Sequence, residues 1–74
     1  MPSVQPLKLV LAERRISNAA LARATGYSEY WVGLVANGQR RPGLAFMRAA
    51  AAELHVPAAE LFREARALNE AVPA

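Results

Sequence analysis

Apolar residues recur along this chain at intervals of three and four, the signature of one face of an α-helix. Leu7, Val10 and Leu11 form the first such set, with Lys8, Glu13 and Arg14 on other faces. A helix is predicted from Pro6 to about Arg15, with Pro6 in the first turn, where a missing amide costs nothing. Ile16 is a core anchor, and Ser17 stands as N-cap of a second helix over Asn18–Thr25. Gly26 occupies the position where a left-handed residue ends a helix, and Ser28 repeats the N-cap role for a third helix over Glu29–Ala36. Leu21, Thr25, Tyr27, Val32 and Val35 are expected to face inward, and small Ala22 permits close helix approach. Residues 37–43 read as a loop from their Gly and Pro content. Leu44, Met47, Ala51 and Leu54 then mark one face of a fourth helix, widened by Phe46 and Ala50, with His55 as a capping or dipole partner at its end. Pro57 opens a fifth, with Ala58, Leu61, Phe62, Ala65 and Leu68, that is expected to run past Phe62. No strand alternation occurs, so the expected fold class is all-α, a compact five-helix domain over residues 6–70. Residues 1–5 are expected to be a loose arm and residues 71–74 a tail.

Composition narrows the chemistry. At 74 residues the chain makes one small core, near the lower limit of independent stability. It contains no cysteine, no aspartate and one histidine, so disulfides, thiolate chemistry and a metal site are not expected, and no cofactor is. No carboxylate pair or Gly-rich phosphate loop is placed for catalysis, so the chain is not read as an enzyme. No apolar run reaches membrane-spanning length and no leader pattern is present, which points to the cytoplasm. The net charge is +3, unevenly spread. Residues 1–48 set seven basic side chains against Glu13 and Glu29, a balance of +5, while residues 49–74 carry −2. A basic front half suits a polyanion, and an unevenly charged solvated surface is the alternative.

The stretch Asn18–Asn37 resembles the helix-turn-helix of the phage-repressor and Cro-like (XRE-type) DNA-binding family. Ala22, Gly26, Leu21, Val32, Val35 and the closing Asn37-Gly38 fall in the family's order. The likeness extends from about Leu7 to Phe62, through Arg40-Arg41-Pro42 and the Leu54-x-Val56-Pro57 ending. It implies a lambda-repressor-like domain with the motif at helices 2 and 3. It also implies double-stranded DNA as partner, helix 3 in the major groove, and a bacterial or phage transcription regulator, with repression expected.

Carried onto this sequence, the phosphate contacts are Asn18, Arg23, Asn37, Arg40 and Arg41, and the base contacts Ser28, Glu29, Tyr30, Gly33 and Leu34. Asn18 stands where the family commonly has the longer Gln. Glu29 can accept from a cytosine amino group, Tyr30 offers a hydroxyl and Leu34 can touch a thymine methyl. Arg14 and Arg15 serve either the helix end or a phosphate. The face departs from the family in being apolar and aromatic; Trp31 is read first as a ring covering the core. An alternative function follows, a protein-interaction module using Tyr30, Trp31 and Leu34. A homodimer is expected, with Leu61, Ala65 and Leu68 of helix 5 as its contacts; a third reading, the DNA-binding part of a longer protein or larger assembly, is compatible with a domain that ends just after helix 5.

Overall fold

The structure is a computed structural model that describes residues 4–66. Five α-helices follow in order: α1 Pro6–Glu13, α2 Asn18–Thr25, α3 Glu29–Ala36, α4 Leu44–Leu54 and α5 Ala58–Leu61. Residues 63–66 add a further helical turn. Among the described residues there is no strand. The helices enclose one core in which Leu7, Leu21, Val32, Val35, Phe46, Leu61 and Phe62 are fully or almost fully buried. Phe46 is its hub, with its ring edge-on to Trp31 at 4.6 Å, to Tyr27 at 5.0 Å and to Phe62 at 5.7 Å.

Local chemistry sets the helix ends. The Ser17 hydroxyl accepts the Ala20 N–H at 3.0 Å, and the Ser28 hydroxyl accepts the Trp31 N–H at 3.1 Å, so both serines cap as expected. Gly26 ends α2 at φ 81°, in the left-handed region where a Cβ would be strained. His55 ends α4 in the same conformation at φ 55°, and Arg15 follows α1 at φ 57°. Arg14 is structural: its guanidinium donates to the Leu54 carbonyl at the end of α4, satisfying an orphan helix acceptor.

Four expectations need correction. The last helix does not run through Phe62, which is extended at φ −136°, ψ 133° and breaks it. The break turns the ring into the core beside Phe46, and a new turn starts at Arg63. Gln5 is no part of a loose arm, being 1% exposed. Its N–H donates to the Ala36 carbonyl, its Oε1 accepts the Arg63 N–H at 3.1 Å, and its Nε2 donates to Glu64 Oε1 at 2.7 Å. Gln5 thus caps both the end of α3 and the turn after the break. Leu44 stands 49% exposed at the start of α4 rather than in the core. Finally, Leu61 and Ala65 are buried within the protomer, so they cannot form the expected dimer contact; Leu68, with the 71–74 tail, lies outside the described residues.

Candidate nucleic-acid interface

α2 and α3 pack against each other through Leu21, Ala22, Val32 and Val35, joined by a turn over Gly26, Tyr27 and Ser28. With that side buried, Glu29, Tyr30, Gly33, Leu34 and Asn37 are left on the outer side of α3. Glu29 is exposed and Tyr30 is 77% exposed, while Gly33, Leu34 and Asn37 are half-buried. Ser28 is exposed, and its oxygen already serves the α3 cap.

The face is joined to its neighbours at two points. A Cβ built on Gly33 would lie 3.5 Å from Asn18 Nδ2, so the start of α2 and the middle of α3 meet there. At the far end of α3, the Lys8 ammonium donates to Asn37 Oδ1 at 2.5 Å. Lys8 was not among the residues singled out on sequence, since 29 positions separate it from Asn37 and no local pattern links them.

Gly38 takes φ 78° directly after α3, while Asn37 stays at φ −82°. The turn brings Arg40 and Arg41 to the surface, where they line a shallow cleft of about 390 Å³ together with Gly38, Gln39, Gln5, Arg63 and Glu64. Arg40 and Arg41 are exposed and engage no partner among the described residues. Arg23 is likewise exposed, in the last turn of α2. It lies about 7.5 Å along the helix axis from Asn18 at 1.5 Å per residue, so these two do not converge on one point. The site is therefore an edge: Asn18 beside Gly33, the outer side of α3, then Asn37 and the two arginines.

Trp31 belongs to the core rather than to this edge. Its ring stacks on Tyr27 at 4.6 Å and 22°, and stands edge-on to Phe46. Tyr27, expected inside, is 37% exposed and acts as the outer cover of that stack. With Trp31 engaged and Leu34 half-buried, Tyr30 is the one strongly exposed ring of the proposed protein-interaction face, which leaves that reading little apolar area.

Among the described residues, no three His, Cys, Asp or Glu side chains cluster to hold a metal ion, and no helix is long and apolar enough to cross a membrane.

No family model matches the chain, and no curated protein does. A solved structure is similar to it: the restriction-modification controller protein C.AhdI from Aeromonas hydrophila, with a TM-score of 0.71 and 30% sequence identity. The match covers 77% of this chain and 86% of that one.

Proposed function

The chain belongs to the Cro- and phage-repressor-like (XRE-type) helix-turn-helix family, and from that premise we propose that it is a sequence-specific duplex-DNA-binding transcription regulator. The observation that carries this reading is the edge itself: a Ser28-capped α3 with an open outer side, continued by a loop whose Arg40 and Arg41 engage no partner among the described residues. Such an arrangement separates two tasks that duplex recognition needs. Arg40, Arg41, Arg23, Asn18 and Asn37 position the backbone through phosphates, and Ser28, Glu29, Tyr30 and Leu34 lie along the major groove and read base edges, with Gly33 permitting close approach of the duplex.

The likeness to a restriction-modification controller favours a regulator over a purely architectural DNA binder. Repression is the mode we infer, because a protein seated on a promoter duplex excludes others from it. The protein acts without catalysis, in the cytoplasm, where bacterial DNA lies. Two copies read half-sites about one helical turn apart, roughly 34 Å, through a surface that excludes Leu61 and Ala65.

The test is fluorescence anisotropy on a pool of random duplexes at two salt concentrations, with enrichment and sequencing of what binds. A palindromic motif and a steep loss of affinity with salt are expected. Arg40→Ala with Arg41→Ala lowers the salt slope by roughly two, at about 0.9 per phosphate. A flat salt response with no enriched sequence overturns the reading.

A further inference from the structure

Lys8 lies on the exposed side of α1, where periodicity makes it an ordinary solvated residue. The fold puts it elsewhere in function. α1 packs so that the Lys8 ammonium reaches Asn37 Oδ1 at 2.5 Å, across 29 residues of chain. Asn37 is the C-cap of α3, and the Arg40–Arg41 loop starts one residue later. A positive charge from a different helix is thereby fixed on the edge that bears the phosphate-binding candidates.

The chemistry of the pair gives it direction. An ammonium carries three N–H donors and no acceptor. The Asn37 atom facing it is therefore the carbonyl oxygen, and the amide N–H2 occupies the other side of the group. One Lys8 donor is spent on Asn37, and no other partner of Lys8 occurs among the described residues. Two donors of Lys8 and the two of Asn37 are thus left on either side of that bond at the end of α3, where only acceptors suit them.

We infer that Lys8 is a further contact to a duplex phosphate and the residue that holds the Asn37 amide ready for another. The inference rests on the DNA-binding reading above. It makes the interface one helix wider than the helix-turn-helix and its following loop, since α1 supplies a contact of its own.

The experiment compares the wild-type protein with Lys8→Gln and Lys8→Arg, measuring Kd against salt on an enriched duplex and on a scrambled one, beside thermal melts of each protein. Lys8→Gln is expected to weaken binding alike on both duplexes and to lower the salt slope by about one phosphate. Between 50 and 200 mM salt, wild type then loses roughly 3.5-fold more affinity than Lys8→Gln. Lys8→Arg restores the slope, and the melting temperature of Lys8→Gln stays that of wild type. A wild-type slope in Lys8→Gln overturns the role of Lys8 while leaving DNA binding in place. A lowered melting temperature with an unchanged slope does the same, by making Lys8 a helix-packing residue only. A wild-type protein that binds neither duplex removes the DNA reading, and the role of Lys8 with it.

Discussion

Gly33 is the fifth residue of an eight-residue helix, and a glycine there weakens α3 by roughly 0.8–1 kcal/mol against alanine. The space for a methyl group exists. The nearest atom to an added Cβ is Asn18 Nδ2 at 3.5 Å, an ordinary van der Waals contact, and Gly33 is not among the positive-φ glycines. Gly33→Ala should therefore keep nearly the whole propensity gain. In a domain of this size, a stabilisation of about 1 kcal/mol raises the melting temperature by roughly 4–8 °C. Trp31 is the single tryptophan, two residues away and stacked between Tyr27 and the edge of Phe46, so its emission follows this helix directly. Urea titration followed by that emission should show a higher midpoint at unchanged slope, meaning stability rather than compactness has changed. Duplex affinity should fall at the same time, because the methyl stands against the Asn18 amide proposed to hold a phosphate. A melting temperature at or below wild type refutes the packing argument. The double variant Asn18→Ala, Gly33→Ala locates the fault: recovery of the gain there means that Asn18 is held more tightly against α3 than its 3.5 Å contact allows.

Other substitutions probe the corrected parts of the fold. Gln5→Ala leaves the Arg63 N–H and the Glu64 carboxylate without that partner, and should cost about 1–3 kcal/mol in chemical denaturation; a neutral result would return Gln5 to the arm. His55→Gly relieves a left-handed β-carbon worth roughly 1–2 kcal/mol, offset in part by the greater freedom of glycine in the unfolded chain, so a net gain of about 0.5–1 kcal/mol is expected in thermal melts. Phe46→Ala empties the hub and should cost about 3–5 kcal/mol, much of the stability of a small domain. It should also shift Trp31 emission to the red; a cooperative melt with wild-type emission would show the hub lies elsewhere.

The parts of this fold that follow from neighbouring residues could be read from the chain. α2, α3 and α4 end where Ser17, Gly26, Ser28 and the 37–43 loop place their ends, because caps and turns act over three or four residues. What escaped depends on partners far away in sequence. Gln5 looks like a solvated residue before a proline until Arg63 and Glu64 arrive, 58 and 59 positions later. The break at Phe62 carries no glycine or proline, and it exists because a core position for the ring outweighs continuation of the helix. Leu44 fits the apolar stripe of α4 by spacing, yet the first turn of that helix lies beyond the edge of the core. At the interface, the arginine loop was legible from its composition, whereas Lys8 needed the packing of α1 on α3 to come into view.

The Gln5 bridge also sets an order of events in time. It ties the first described turn to residues 63 and 64, so it closes a loop of nearly sixty residues and gives back its entropy only when most of the chain is in place. On a ribosome, α1 can pack on α3 as the helices emerge, while the Gln5 side chain waits for partners still being synthesised. Closure of the bridge thus follows the emergence of residues 63 and 64. Contacts made last on the way in are absent from the folding transition state, so loss of the bridge should quicken unfolding and leave the folding rate nearly untouched. Gln5 would then act as a latch on residence time in the native state, separate from the machinery that finds it.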